Sequence, residues 1–336
     1  MCGDCGCAEQ DAQATNSHGV DERRRVAVIA VGGNSLILDS TRQSVEDQYE
    51  AACETARHIA RLIELGWNVV VTHGNGPQVG FILRRSELAR HELHEVPLDA
   101  CGADTQGALG YALQRAIGNA LRERGICRTV STVVTQVVVD HRDPAFEKPT
   151  KPIGSFMKED EAKVRQERDG WSLVEDSGRG WRRVVASPFP KDIVELHAIE
   201  TLVHAGVVVI AVGGGGIPVI RDEQGNLSGV AAVIDKDFAS ALLARNLNAD
   251  VLIISTAVEQ VALDFGKPTE RRLSSMTLTE AQAYLEEGHF APGSMAPKIK
   301  AIIDFLESGG EKALITTPFA IPRALAGETG TWITKG

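Results

Sequence analysis

Three apolar runs in the sequence stop at glycines: "RVAVIAV" at Gly32-Gly33-Asn34, "WNVVVTH" at Gly74-Asn75-Gly76, and "VVVIAV" at Gly213, Gly214, Gly215 and Gly216. Glycine leaves backbone N–H groups free to converge on an anion, and a helix beginning just behind adds its partial positive charge. One such loop reads equally well as a tight strand-to-helix turn. Three of them at strand ends of one sheet point to phosphate or another anion. Asn34 and Asn75 carry amides that can donate to a phosphate or carboxylate oxygen, although asparagine also serves turns by tolerating left-handed backbone.

Three lysines suit such a site: Lys151 in "KPTKPIG", Lys236 in "VIDKDFAS" and Lys298 in "GSMAPK", each beside proline or small residues. Phosphoryl transfer asks little covalent work of a protein; it needs positioned cations and a metal on the nucleotide. Taken singly, each lysine is also an ordinary solvated charge. Asp237 is suited to hold two ammonium groups in register, or it complements a helix N-terminus. From these residues alone, "VIDKDFAS" is either a charged cap or a phosphate clamp.

Other chemistries fit less well. No Gly-x-x-x-x-Gly-Lys-Ser/Thr stretch occurs, and Val219 stands where a dinucleotide fingerprint beginning at Gly214 needs glycine. His73, at a strand end, reads as structural, and His91 and His94 as residues of a surface helix instead of a metal pair. The formal charge of -10 argues against a nucleic-acid partner, and no run approaches the roughly 20 apolar residues of a membrane span. The N-terminus lacks the apolar core of a secretory signal.

The elements that must position these residues alternate. Val45, Tyr49, Ala52, Ala56, Ile59 and Ile63 keep the helical period, with a capping box at Ser44 and Asp47 and a C-cap at Gly66. Further helices are expected over 105–123, 193–205, 236–247, 279–287 and 295–307, with extended segments over 129–140, "VVVIAV", "VLIIS" and "KALIT". Apolar strands separated by amphipathic helices give a largely parallel sheet covered on both faces, with ligands beyond the strands' carboxyl ends. Residues 140–190 break this rhythm with prolines and a hairpin in "WSLVEDSGRGWRRVV", as an inserted lobe or lid does.

Cys53, Cys101 and Cys127 are scattered through the body and read as buried thiols of a reducing cytoplasm. Cys2, Cys5 and Cys7 crowd a polar, flexible tail of residues 1–24. Three thiolates this close can bind Ni²⁺ or Zn²⁺, or remain an unoccupied, oxidisable tail.

In order along the chain, "AVGGNSL", "THGNGPQVG", "PLDACGADTQGALGY", "KPTKPIG", "EDSGRGWRRVVASP", "GGGGIPV", "AVIDKDFASALLA" and "EGHFAPGSMAPKIKA" closely resemble the carbamate kinases of the amino acid kinase superfamily. The resemblance runs from about Arg25 to Gly336. It implies a three-layer αβα sandwich over 25–336 with a mainly parallel sheet, a protruding lid subdomain at about 140–190, and a cytoplasmic homodimer of arginine or related nitrogen metabolism. The reaction it implies is ATP + carbamate ⇌ ADP + carbamoyl phosphate with Mg²⁺. Carried over by motif, Gly32, Gly33 and Asn34 would contact the transferring phosphoryl group. Gly74, Asn75 and Gly76 would border carbamate, and Gly213 to Gly216 would line the nucleotide half. Lys151, Lys236 and Lys298 would neutralise the phosphates with Asp237 organising them, which makes "VIDKDFAS" the clamp.

The chain departs from the family pattern at Asp104, Ser155, Met157, Ala186, Phe189, Ala257 and Ala296, which bears on affinity and lobe closure more than on the lysines. "MCGDCGC" is itself similar to the nickel-binding N-terminus of hydrogenase-maturation GTPases. Two other readings remain: a kinase of the same superfamily acting on another carboxylate, and a non-catalytic, metal-carrying protein of this fold.

Overall fold

A computed structural model describes residues 25–32, 42–175 and 180–336. Chain order runs β1 (Val26–Val31), α1 (Val45–Glu64), β2 (Asn68–His73), α2 (Gly76–Ala89), α3 (Leu98–Arg122), β3 (Val130–Thr132) and β4 (Gln136–Val139). It continues β5 (Lys151–Met157), α4 (Glu159–Asp169), β6 (Ser172–Glu175), β7 (Trp181–Val185), β8 (Pro190–Ile193), α5 (Leu196–His204), β9 (Val208–Ile210), β10 (Ile217–Arg221), β11 (Leu227–Gly229) and α6 (Lys236–Asn246). The last part is β12 (Val251–Ser255), β13 (Val261–Leu263), β14 (Arg271–Leu273), β15 (Ser275–Thr277), α7 (Leu278–Glu286), α8 (Met295–Glu307), β16 (Lys312–Thr316), α9 (Ile321–Leu325) and β17 (Thr331–Thr334).

The eight-stranded central sheet has the order β15-β17-β16-β12-β1-β2-β9-β3. All its pairings are parallel except β16 with β17. Alternate side chains of each strand enter opposite layers, which is why the central strands read as apolar throughout. Ala27, Ile29 and Val31 pack with α1, α3 and α9, whereas Val28 and Ala30 pack with α5, α6, α7 and α8. The molecule is thus the three-layer αβα sandwich with a mainly parallel sheet that the sequence implied.

Local signals place several elements. Ser44 Oγ accepts from Asp47 N at 3.1 Å while Asp47 Oδ2 accepts from Ser44 N at 3.0 Å, a complete capping box that starts α1. α3 begins at Leu98, seven residues before the expected start, because Pro97 supplies a fixed φ of -59° at its N-cap. Ile193 ends a strand and does not open a helix. The segment expected to be extended over 129–140 divides between two sheets: β3 lies at the edge of the central sheet, and β4 joins the order β11-β10-β4-β8. The hairpin expected near Trp171–Val185 is present as antiparallel β6 and β7, with β5 on the other edge of β7. His91 and His94 lie in the loop after α2, not on a helix. Of the scattered cysteines, Cys101 is buried and Cys53 half-buried, but Cys127 is exposed.

Ile253, at the middle of β12, is fully buried against the α1 and α3 layer. Ile253→Ala is expected to cost about 2–5 kcal/mol, the range for truncating a large core side chain. Urea unfolding at constant m checks it, and a loss below about 1 kcal/mol would show that this layer repacks freely.

Candidate active site

A cleft of about 630 Å³ lies over the carboxyl ends of the central strands, and Lys151, Lys236 and Lys298 all line it. They come from far apart in the chain. Lys151 opens β5, Lys236 is the first residue of α6, and Lys298 is in the first turn of α8. Gly32, Gly74, Asn75, Gly76 and Gly214 line the same cleft. Gly33, Asn34 and the tail residues Cys2, Cys5 and Cys7 lie outside the described residues, as does the expected tail over 1–24.

Two carboxylates fix the ammonium groups. Asp237 Oδ1 accepts from Lys236 Nζ, and its Oδ2 accepts from Lys298 Nζ at 2.9 Å. Asp237 is 3% exposed. Burial alone would raise its pKa, but the ammonium groups of Lys236 and Lys298 outweigh it and hold the carboxyl well below the usual carboxylate range. Burial and the neighbouring Lys298 charge draw the Lys236 pKa down, against the pull of Asp237.

Asp235, the first charge of "VIDKDFAS", does two jobs. As the N-cap of α6 its Oδ1 accepts from Asp237 N at 2.9 Å, while its Oδ2 accepts from Lys151 Nζ at 2.7 Å. The octapeptide is therefore both a cap and, through Asp235 and Asp237, the anchor of three lysines. Three ammonium groups against the two carboxylates leave one positive charge on this cluster, facing the N-terminus of α6. The arrangement suits a polyanion with several exchangeable oxygens.

The glycine loops divide by role. Of Gly213, Gly214, Gly215 and Gly216, all buried, only Gly214 lines the cleft. Gly214 has φ +68°, and a Cβ there would fall 2.1 Å from Asn75 Nδ2, so the loop and that amide occupy each other's space. Asn75 has φ -141° and is not a left-handed turn residue; its Nδ2 donates to Thr105 Oγ1 at 2.8 Å.

Val212, just ahead, has φ 54°, a strained conformation for a β-branched side chain. Its N–H donates to Thr135 Oγ1 at 3.0 Å. Gln106 Nε2 donates to Thr135 O at 3.1 Å and to Gly213 O at 2.9 Å, and Gln106 Oε1 accepts from Thr135 N at 2.8 Å. Gln106 and Thr135 pin the loop. No local pattern announces them, because their partners are distant in sequence.

His73 is fully buried and its Nδ1 donates to the Gly74 carbonyl at 3.2 Å. Burial lowers its pKa to about 4, only partly opposed by that hydrogen bond. It is structural, as its place at a strand end suggested.

The sequence profile described as the amino acid kinase family matches residues 25–317. With the sandwich and the lysine-lined cleft, this defines the class: the chain belongs to the amino acid kinase family. Within it, the similarity is to carbamate kinases. The carbamate kinase of Clostridium perfringens is 50% identical over 313 residues, 92% of this chain and 99% of that one. A carbamate kinase-like protein of Escherichia coli, YahI, is 50% identical over 315 residues, 93% and 99% of the two chains. The structure of carbamate kinase from Giardia lamblia bound to AMP-PNP superposes with a TM-score of 0.87 at 42% identity, covering 94% of this chain and 99% of that one.

Two consequences are measurable. Asp235→Ala should lower stability by about 1 kcal/mol through loss of the cap, and Asp235→Asn by less, since asparagine also caps; equal losses in denaturant titrations would refute the capping role. His73 has a folded-state pKa near 4 against an ordinary value near 6.5. Between those values the unfolded chain binds the extra proton, so stability falls as pH drops from about 6.5 to about 4, by roughly 3 kcal/mol in full. His73→Gln should flatten that part of the stability–pH curve, and an unchanged slope would contradict the assignment.

Proposed function

We propose that the chain is a carbamate kinase, transferring the γ-phosphoryl group of ATP to carbamate and, in reverse, making ATP from ADP and carbamoyl phosphate. The observation that carries the reading is the convergence of Lys151, Lys236 and Lys298 on one cleft, held by Asp235 and Asp237. Similarity alone weighs less, because curated relatives at about 50% identity include both carbamate kinases and carbamate kinase-like proteins.

The chemistry fits the residues. A carbamate oxygen forms the new P–O bond as the bond from phosphorus to the ADP oxygen breaks. The attacking oxygen is already anionic, so no proton moves and no base is required, consistent with a histidine buried out of use. What the transfer needs is charge stabilisation along the line of the phosphoryl group. Lys236 and Lys298, fixed by one carboxylate, supply it from the nucleotide side. Lys151 supplies it from β5, in the lobe of residues 140–190 that acts as a lid. Gly32 and the loop of Gly74 to Gly76 offer amides to the phosphoryl and carbamate oxygens, the role that the family resemblance also gives Gly33 and Asn34, and Gly214 borders the nucleotide half.

The family resemblance implies Mg²⁺ as a companion of the nucleotide. Asp235 and Asp237 are committed to lysines, and a magnesium ion held mainly by phosphate oxygens and water asks little more of the protein. When bound, it would supply neutralising charge to the phosphates. The family resemblance further supports a cytoplasmic homodimer; no helix among the described residues is long and apolar enough to cross a membrane.

A coupled assay for ATP formed from ADP and carbamoyl phosphate tests the reading. Activity is expected, and Lys236→Ala should lower kcat at least about 100-fold, the scale of losing one preorganised electrostatic group. Silence toward carbamoyl phosphate with turnover of another acyl phosphate would replace carbamate by a different acceptor. Near-normal turnover in the variant would reject the role of Lys236.

A further inference from the structure

A second cavity, of about 190 Å³, lies between α2 and the lobe and shares Ile153 with the wall of the main cleft. Its volume is below the roughly 300–1,000 Å³ of sites for larger organic ligands, so only a small molecule fits. Arg84, Arg165 and Arg183 line it. The first two are satisfied. Glu87 Oε2 accepts from Arg84 Nη1 at 3.2 Å and from Arg165 Nη2 at 3.1 Å. Asp169 Oδ2 accepts from Arg165 Nη1 at 3.2 Å, and Glu161 lies 4.0 Å from Arg165 Nη2.

Arg183 differs. Among the described residues no carboxylate stands within ion-pair distance of it, and its guanidinium instead lies 4.7 Å from the centre of the Trp171 ring, which Arg165 approaches at 5.0 Å. Burial pulls its pKa down, and the carboxylates of Glu87, Asp169 and Glu95, none within ion-pair distance, oppose that only in part. Arginine cannot shed its proton to relieve that cost, so an anion is the available remedy.

The geometry points to a second ligand site in this cavity, a small-oxyanion site in which the fork of Arg183, beside Trp171, binds a tetrahedral or carboxylate anion. Its position gives it a mechanical role. Arg183 on β7 pairs in register with Ile153 on β5, two residues from Lys151. α2 and β5 already touch backbone to backbone, since a Cβ on Gly80 would come 2.9 Å from Gly154 Cα. An anion held by Arg183 against α2 braces the strand pair that carries Lys151. The site stands whether or not the main cleft transfers phosphoryl groups.

The test is titration of the ¹⁵N-labelled full chain with sodium sulfate, and separately with sodium acetate, at constant ionic strength, following the tryptophan indole resonances. Trp171→Phe assigns the Trp171 signal. The expected result is saturable movement of that signal in the millimolar range with at least one of the anions, preserved in Lys236→Ala. Arg183→Gln should weaken it about tenfold or more, the scale of a charge-assisted hydrogen bond, and the charge-retaining Arg183→Lys less. The proposal is overturned if the signal fails to respond to both anions, if the response is lost in Lys236→Ala, or if it is unchanged in Arg183→Lys and Arg183→Gln alike. If Arg183→Gln does not fold, Arg183→Lys decides.

Discussion

A buried carboxylate between two ammonium groups is the constraint around which the cleft is arranged. Asp237 sits at the head of α6 with Lys236 on one oxygen and Lys298 on the other. Isolated, any of these charges would be expensive to bury; together they satisfy one another, and removing the carboxylate would strand two cations at a cost of about 3–5 kcal/mol. The lysines come from the first turns of α6 and α8, so the triad also fixes the mutual position of two helices packed on the same face of the sheet. Stability and the shape of the cleft are therefore coupled: the groups that line it also hold two helices in register.

The sheet makes this possible. Its parallel strands end at one edge, and their loops deliver glycine amides to the place where α6 starts. The strained Val212 backbone persists because Thr135 holds its N–H and Gln106 holds the carbonyl of Gly213, the residue that follows. The glycines after it serve mostly for fit: Gly214 alone reaches the cleft, and its missing side chain is the space that Asn75 fills.

Much of this was legible in sequence wherever a local rule decided the outcome. β12 and β16 were readable as short apolar runs and α8 as a helix over 295–307, each with the bounds later observed. The capping box of α1 followed from Ser44 and Asp47 alone. Elements governed by distant partners were not legible. The run 129–140 looks like one strand, yet Thr135 is drawn aside by Gln106, and the chain changes sheets there. Ile193 has the apolar character of a helix residue but pairs with Val137. At the site, the three lysines and Asp237 stood out by residue type, and the motif resemblance set them in one pocket. The second role of Asp235 did not stand out, because a residue that caps a helix gives no sign that its other oxygen meets Lys151.

That shared carboxylate ties the lobe strand to the head of a helix. Lys151 Nζ donates to Asp235 Oδ2 at 2.7 Å, and an ammonium group carries three donors, so others stay free for an anion in the cleft while the ion pair persists. Asp235 Oδ1 accepts from Asp237 N through its other oxygen, so the N-cap of α6 does not depend on where the lysine points.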